Sequence, residues 1–163
     1  MKSLLTPSHP PYPSPLRGRE KGRGSGNGRV KGDRMLSINK NILIVDDCKT
    51  TRKIIALYIK EAGYKTVLAA NGVEAIEKLM NAAVDVIITD LNMPQMDGIE
   101  LTRWVRENNM FKDIPLIILT TEQNDVSRVK GINTGASTFL TKPITKERLI
   151  EEINKFAVKV GGG

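Results

Sequence analysis

The sequence predicts an α/β protein built around a five-stranded parallel sheet with helices on both faces. Short apolar runs rich in β-branched residues alternate five times with longer stretches whose apolar residues recur at helical spacing. The connections between these stretches are short, as in a chain of repeated strand–helix units. Because crossovers between parallel strands are right-handed, the carboxyl ends of all five strands should lie at one edge of the sheet.

Each predicted element has its own pattern along the chain. The predicted strands are residues 42–45, 66–69, 84–90, 114–120 and 137–141. The predicted helices are residues 50–62, 72–80, 98–107, 124–133 and 146–158. The third strand is almost continuously apolar, which is typical of a strand covered on both faces.

The predicted helices each carry an apolar stripe. In the first helix the stripe is Ile54, Ile55, Tyr58, Ile59 and Ala62, and Gly63 should follow as its C-terminal cap. Leu57 falls outside this stripe. In the second helix we expect Val73, Ile76 and Leu79 to face inward. The later helices carry Ile99, Leu101 and Val105, then Val126, Val129 and Ile132, then Leu149, Ile150, Ile153 and Phe156.

The net charge of +7 is concentrated in the amino-terminal segment. Residues 1–34 contain eight basic and two acidic side chains, whereas the rest of the chain contains 17 basic and 16 acidic ones. Because this segment is rich in Pro, Gly, Ser and Arg, we expect residues 1–38 to form a disordered tail before a domain at 39–160. The tail is an electrostatic tether to nucleic acid or an anionic surface, a solvated extension, or a segment absent from a protein that begins at Met35.

Composition excludes several kinds of protein. The single cysteine, Cys48, rules out an intramolecular disulfide and suits the reducing cytoplasm. The only histidine, His9, lies in a Pro-rich segment, which argues against histidine-based catalysis and zinc binding. No apolar run approaches the roughly 18 residues of a membrane span, so we expect a cytoplasmic protein without membrane insertion.

Polar side chains stand at the ends of four predicted strands. Asp46 and Asp47 follow the first strand, Asp90 ends the third, Thr120 ends the fourth, and Lys142 follows the fifth. Neighbouring carboxylates raise one another's pKa unless a cation shares their site. Because oxygen ligands suit Mg²⁺, the sequence predicts a magnesium site here.

Each of these residues also has an ordinary structural explanation when it is considered alone. Asp47 could cap the first helix, Asp90 could cap a turn, Thr120 could be a plain strand residue, and Lys142 could be a solvated charge. Their coincidence at one edge of the sheet favours a functional site. The backbone carbonyl of Asn92, in the loop after Asp90, could complete the metal ligands.

These motifs resemble those of bacterial response-regulator receiver domains. The resemblance rests on residues 44–47 (IVDD), 90–98 (DLNMPQMDG), 119–120 (LT) and 141–143 (TKP), and it extends over residues 40–159. It implies a flavodoxin-like, doubly wound sheet with the strand order 2-1-3-4-5.

The resemblance also implies a role for each strand-end residue. Asp90 would be the phosphoacceptor that takes a phosphoryl group from the phosphohistidine of a sensor histidine kinase. Asp46, Asp47, Asp90 and the Asn92 carbonyl would hold Mg²⁺. Thr120 and Lys142 would contact the phosphoryl oxygens.

The resemblance implies roles for further residues around the site. Phe139 stands where the family has a switch aromatic that follows Thr120 inward, although a plain core position is the alternative. Asn92 and Glu122 flank the site and would modulate autodephosphorylation. The Lys142–Pro143 bond would be cis.

The resemblance is strongest to the stand-alone chemotaxis (CheY-like) type. We therefore expect a monomeric response regulator that signals by phosphorylation-dependent binding to a protein target such as the flagellar motor switch. We expect no enzymatic activity beyond self-phosphotransfer and autodephosphorylation. Phe139 and Leu91 replace a Tyr and a Trp of the well-known chemotaxis form, so a phosphorelay intermediate, a pilus-motility regulator or another non-motility regulator is the alternative.

Two other functional classes fit the sequence less well. A metal-dependent phosphatase or phosphotransferase would carry a general-acid Asp soon after its nucleophile, where this chain has Asn92 and Met93. A nucleic-acid binder would use the basic tail, but the chain shows no aromatic stacking platform to accompany it.

Overall fold

The central feature of the computed structural model, which describes residues 39–123 and 125–157, is a five-stranded parallel sheet. Its strands are β1 (Asn41–Val45), β2 (Lys65–Ala69), β3 (Val86–Asp90), β4 (Leu116–Thr120) and β5 (Thr138–Thr141). They pair in the order β2-β1-β3-β4-β5, and every pairing is parallel. The predicted fold class and strand order are therefore confirmed.

Five helices cover the two faces of this sheet. They are α1 (Lys49–Glu61), α2 (Gly72–Asn81), α3 (Gly98–Glu107), α4 (Asp125–Thr134) and α5 (Lys146–Ala157). Alternate strand residues feed two separate cores. Ile42 and Ile44 of β1 pack in the core with α1 and α5, whereas Leu43 and Val45 pack in the core with α2 and α3.

Three strands begin later than the sequence predicts, β5 by one residue and β3 and β4 by two residues each. β4 begins at Leu116 because Pro115 has no N–H to donate, although its carbonyl still accepts a hydrogen bond from the Ile87 amide (2.9 Å). β3 begins at Val86. The carboxylate of Asp85 accepts a hydrogen bond from the Asn41 amide (2.8 Å), so this residue closes the end of the sheet through its side chain.

Several predicted core positions face solvent. Ile54 is 45% exposed, because the buried face of α1 is centred on Ile55, Ala56 and Ile59. Val73 of α2 is half exposed, because Ala75 and Leu79 fill the inward positions of that helix. The three large apolar residues of α4 are also exposed: Val126, Val129 and Ile132.

The end of α1 has the predicted glycine. Gly63 has a φ of 98°, the left-handed conformation that glycine adopts without strain. The Gly63 amide donates to the Lys60 carbonyl (3.0 Å), and the Tyr64 amide donates to the Ile59 carbonyl (3.2 Å). These two bonds satisfy carbonyls at the end of α1 and turn the chain toward β2.

Some predictions fall on residues that the structure does not describe. They are the tail at 1–38, the helix start at 124 and the domain end at 158–160. Within the described ranges, no helix has the length and apolar character needed to cross a membrane.

Candidate functional site

Three carboxylates meet at the carboxyl edge of the sheet. Asp46 and Asp47 follow β1, and Asp90 is the last residue of β3, the strand beside β1. One oxygen atom of each lies within 4.8 Å of the others. Asp46 is almost fully buried, at 2% exposure, whereas Asp90 is half-buried and Asp47 is exposed. The predicted convergence of these three side chains is confirmed.

Asp46 is fixed by hydrogen bonds from the start of α1. Its Oδ1 accepts from the Cys48 amide (2.8 Å), which forms a local turn, and its carbonyl accepts from Nη1 of Arg52 (2.5 Å). These bonds hold the Asp46 carboxylate at the floor of the site.

The ammonium group of Lys142 joins two of the carboxylates. Its Nζ lies 3.0 Å from Oδ1 of Asp90 and 3.1 Å from Oδ2 of Asp46. Burial lowers the pKa of Lys142, but its bonds to Asp90 and Asp46 outweigh this effect, so the pKa is raised and the side chain stays charged. The Lys142–Pro143 bond is cis, as predicted.

Burial shifts the pKa of Asp90, the central carboxylate, in the opposite direction. The pKa of Asp90 is raised, mainly because burial disfavours its charged form, although the hydrogen bond and charge of Lys142 oppose the shift. The nearby charges of Asp46 and Asp47 raise it further. The single positive charge of Lys142 therefore does not neutralise the three carboxylates.

The loop after Asp90 folds back onto the end of β3. The Leu91 amide donates to the Leu119 carbonyl (3.0 Å), and the Gly98 amide donates to the Leu91 carbonyl (2.7 Å). Gly98 packs so closely that a Cβ there would lie 2.4 Å from the Asp90 carbonyl oxygen. Asp97 then caps α3, accepting from the Ile99 and Glu100 amides at 2.9 and 2.8 Å. The backbone that carries Asp90 is thus held from both sides.

Thr120 lies at this edge of the sheet, where its hydroxyl bonds to the chain that follows β4 and not, within the described residues, to Asp90. The buried Thr120 Oγ1 accepts from the Glu122 amide (2.9 Å). The Glu122 carboxylate in turn accepts from Nδ2 of Asn92 (3.3 Å) and from Oγ of Ser127 in α4 (2.7 Å). The structure therefore links Thr120, Glu122 and Asn92 through one network beside the acidic cluster.

Phe139 of β5 is buried beneath α4. It is 5% exposed, and its ring occupies the space that a side chain on Gly131 would need. The guanidinium Cζ of Arg128 lies 5.6 Å from the ring centroid. The backbone links this region to the site, because the Lys142 amide donates to the Thr120 carbonyl (2.8 Å) across β4 and β5.

Comparison with known proteins agrees with this geometry. The model of the response regulator receiver domain family matches residues 42–154. The chain belongs to this family. The Helicobacter pylori strain J99 protein named chemotaxis protein CheY1 is 43% identical over 114 residues, which are 69% of this chain and 92% of that relative. A high-resolution structure of the chemotaxis response regulator CheY4 of Vibrio cholerae is 36% identical, with a TM-score of 0.68, and the match spans 72% of this chain and 98% of that one.

One further relative differs in its overall length. The sensor histidine kinase CheAY of Helicobacter pylori is 35% identical over 123 residues, which are 74% of this chain but only 15% of that relative. The receiver fold is thus a small part of that larger protein.

The acidic cluster of this receiver domain has the chemistry of a magnesium site. Its donors are carboxylate oxygens, which magnesium prefers over the nitrogen and sulfur donors that favour zinc. The Asp46 oxygens are held by amide and ammonium donors, so they are positioned before any ion arrives. The residues present therefore fit Mg²⁺.

Sequence reasoning missed several residues that shape the receiver site. Cys48 and Arg52 hold Asp46, and the signal available for Cys48 was its place two residues after an aspartate at a helix start. Ser127 and Gly131 contact Glu122 and Phe139 from α4, but no local pattern marks either residue.

Proposed function

We propose that this receiver domain accepts a phosphoryl group from a sensor histidine kinase on Asp90, with Mg²⁺, and signals in chemotaxis by phosphorylation-dependent protein binding. The observation that carries the proposal is the half-buried Asp90 carboxylate, which lies 3.0 Å from the Lys142 ammonium and among two further carboxylates. A nucleophile, a fixed cation and metal ligands are the parts that phosphoryl transfer to an aspartate requires.

The transfer begins with attack by a carboxylate oxygen of Asp90 on phosphorus. The new P–O bond forms as the bond from phosphorus to the donor imidazole nitrogen breaks, and that nitrogen keeps the electron pair. Lys142 already contacts Asp90, so a small movement of its ammonium would bring it to a phosphoryl oxygen.

Asp46, Asp47, Asp90 and the Asn92 carbonyl would hold Mg²⁺. When bound, the ion neutralises charge on the oxygens of the phosphoryl group. Asp46 is oriented for this role by Cys48 and Lys142.

Thr120 and Lys142 would then stabilise the phosphorylated state. A hydrogen bond to a charged group contributes roughly 1.5–3 kcal/mol, so the two together contribute about 3–6 kcal/mol. Moving an equilibrium from 1:99 to 99:1 requires about 5.5 kcal/mol. To reach the phosphoryl group, the Thr120 hydroxyl would give up its bond to the Glu122 amide, and Phe139, the residue that would follow Thr120 inward, would hold the inward position beneath α4 that its ring already occupies.

The relatives support the pathway that we propose. The match to CheY1 spans 92% of that protein, so a receiver fold alone makes up most of a chemotaxis relative. The CheAY relative, named a sensor histidine kinase, supports a kinase of that class as the phosphoryl donor. We propose that the chain acts as a monomeric cytoplasmic signalling protein, with transfer and loss of its own phosphoryl group as its only reactions.

A mass measurement tests the proposed function. The protein is incubated with Mg²⁺ and acetyl phosphate, and we expect a mass increment of one phosphoryl group that the Asp90→Asn substitution abolishes. Asp113→Asn is the matched control, because this exposed aspartate lies before β4, at the opposite edge of the sheet. A parent protein that gains no phosphoryl mass would refute the proposal, and so would an Asp90→Asn variant that still gains it.

A further inference from the structure

The Glu122 carboxylate lies between two parts of the protein and accepts a hydrogen bond from each. Its Oε1 accepts from Oγ of Ser127 in α4 (2.7 Å), and its Oε2 accepts from Nδ2 of Asn92 in the loop after β3 (3.3 Å). Because the two donors bind different oxygen atoms, together they fix the orientation of the carboxylate. The bond from Ser127 is the shorter of the two, so α4 supplies the firmer hold on Glu122.

The bond between Asn92 and Glu122 spans the gap between two neighbouring strand ends. Asn92 follows Asp90 by two residues, Glu122 follows Thr120 by two residues, and β3 pairs directly with β4. Asn92 is exposed and Glu122 is partly exposed, so the two side chains form a bridge on the solvent side of the acidic cluster. Water that approaches Asp90 from this side meets the Asn92–Glu122 bridge.

We propose that Ser127 is a positioning residue for loss of the phosphoryl group from Asp90, because its hydroxyl holds Glu122 in a bridge that restricts the approach of water. This inference rests on the proposed function, since it concerns the lifetime of the aspartyl phosphate. In the reaction, a water oxygen bonds to phosphorus as the bond from phosphorus to the Asp90 oxygen breaks, and the carboxylate keeps the electron pair. One proton of the water stays on the released phosphate, and the other passes to solvent.

The hold of Ser127 on Glu122 is most important after phosphorylation. In the unphosphorylated structure, the Glu122 amide also donates to Oγ1 of Thr120 (2.9 Å). That bond is given up when the Thr120 hydroxyl turns to the phosphoryl group, and Glu122 then keeps its place through Ser127 and Asn92. Because Ser127 belongs to α4, the bridge also couples the lifetime of the phosphoryl group to the position of that helix.

The bridge is tested first by NMR in the unphosphorylated protein. The signals of the Asn92 side-chain amide, identified by their loss in Asn92→Ala, should shift in Ser127→Ala because Glu122 is no longer held from α4. Ser127→Thr keeps a hydroxyl and should restore the signals of the parent. If the Asn92 signals stayed unchanged in Ser127→Ala, the hydroxyl would not hold the bridge and the proposal would be overturned.

The second test measures how fast the phosphoryl group is lost. The protein is phosphorylated with acetyl phosphate and Mg²⁺, the acetyl phosphate is removed by rapid desalting, and the phosphoryl mass is followed over time. The first-order rate should rise roughly two- to tenfold in Ser127→Ala, the lower part of the range for coupled residues, since this site is partly exposed. Ser127→Thr should return the rate toward that of the parent. An equal or slower loss in Ser127→Ala would overturn the proposal.

A double substitution shows whether Ser127 acts through Glu122. In a Glu122→Ala background, Ser127→Ala should have no further effect on the rate, because the carboxylate that the hydroxyl holds is gone. A further rise of the same size in that background would show that Ser127 acts in another way, and the proposal would fail.

Thr134→Ala is the matched control. Its hydroxyl also lies on α4, but it donates to the Lys130 carbonyl of the same helix (2.7 Å), and its replacement also raises helix propensity. The rate of phosphoryl loss should stay that of the parent, and a rise equal to that of Ser127→Ala would overturn the proposal.

The two measurements distinguish this proposal from the proposed function. If neither the parent nor any variant gains a phosphoryl group, the proposed function fails and the role of Ser127 in phosphoryl loss fails with it, while the Asn92 signals still show whether Ser127 holds the bridge. If the parent is phosphorylated and Ser127→Ala loses the group at the parent rate, the proposed function stands and only the role of Ser127 is refuted.

Discussion

Helices α3 and α4 have the same length and lie side by side, yet they are anchored to the protein in different ways. Five of the ten residues of α3 are buried: Gly98, Ile99, Leu101, Thr102 and Val105. In α4 only Gly131 is buried, and Val126, Val129 and Ile132 face solvent. Helix α3 is therefore part of the core, whereas α4 packs at the edge of the core.

The difference matches what each helix touches at the site. The amino end of α3 holds the backbone of Asp90, which must stay in place for the proposed phosphoryl transfer. Helix α4 contacts the network around Thr120 through Ser127 and contacts Phe139 through Gly131. An element with few buried contacts rearranges at lower cost than one in the core. The proposed nucleophile is therefore held in place by α3, whereas the proposed switch residues are contacted by the less buried α4.

The two helices should differ most in how much free energy of unfolding is lost when a glycine in each is replaced by alanine. Gly98→Ala places a Cβ against the backbone of Asp90 and Leu91, which cannot rotate away, so we expect a loss of about 3 kcal/mol in the free energy of unfolding. Gly131→Ala meets the far end of the Phe139 ring and makes an ordinary contact with Ile118, and alanine favours the helix, so its change should stay below about 1 kcal/mol. Urea unfolding measures both. Equal losses would contradict the comparison.

A matched pair of valines gives the next largest difference. Val105 of α3 is fully buried, whereas Val129 of α4 is 56% exposed. Val105→Ala removes buried methyl groups and should cost about 2 kcal/mol, whereas Val129→Ala should stay within roughly 0.5 kcal/mol. Both changes have the same effect on helix propensity, so the gap between their urea midpoints reports burial. If Val129→Ala were as costly as Val105→Ala, α4 would be part of the core.

The amino ends of the two helices offer a smaller contrast. Asp97 accepts two backbone amides and forms a capping box with Glu100 at the start of α3. Asp97→Ala should cost about 1 kcal/mol in unfolding free energy, as loss of such a cap usually does. The control is Asp125→Ala in the first turn of α4, where we expect a smaller loss from the helix dipole alone. A loss at Asp125 that matched the loss at Asp97 would show that α4 is capped as firmly as α3.

Sequence reasoning succeeded where the fold follows from local pattern and chain topology. Repeated strand–helix units require parallel strands, and parallel strands bring their carboxyl ends to one edge. That argument placed Asp46, Asp47, Asp90 and Lys142 together, although they are spread over nearly a hundred residues. The motif resemblance supplied the strand order and the cis bond, which periodicity cannot reveal.

Sequence reasoning failed where the answer depends on a neighbouring element. Ile54 and Val73 fit apolar stripes, but the sheet meets their helices along a face rotated away from them. Ser127 and Gly131 act through Glu122 and Phe139, which approach them only in the folded chain. Helical spacing shows which residues share one face of a helix, but it does not show which neighbouring element packs against that face.

Helix α5 is stabilised in a third way, in which ion pairs around a nearly buried glutamate add to apolar burial. The nearly buried Glu152 accepts from Arg148 (2.7 Å) and Lys155 (3.2 Å). Burial alone would raise the pKa of Glu152, but the hydrogen bonds from Lys155 and Arg148 outweigh it, so the pKa is lowered. A carboxylate whose pKa falls on folding stabilises the protein above its unfolded pKa, and this contribution is lost as the pH falls through the folded pKa.

The smallest expected effect therefore has a distinctive dependence on pH. Glu152→Gln should lower the free energy of unfolding at pH 7 by roughly 0.5–1 kcal/mol, the sum of two partly exposed helical pairs. This difference should shrink once the pH falls below the ordinary glutamate pKa of about 4.3. Glu151→Gln, an exposed neighbour, should show a smaller loss at pH 7. A gap for Glu152 that stayed constant from pH 7 to pH 3 would mean that packing, not charge, anchors this part of α5. Helix α5 would then resemble α3, whose attachment to the sheet comes mainly from buried apolar residues.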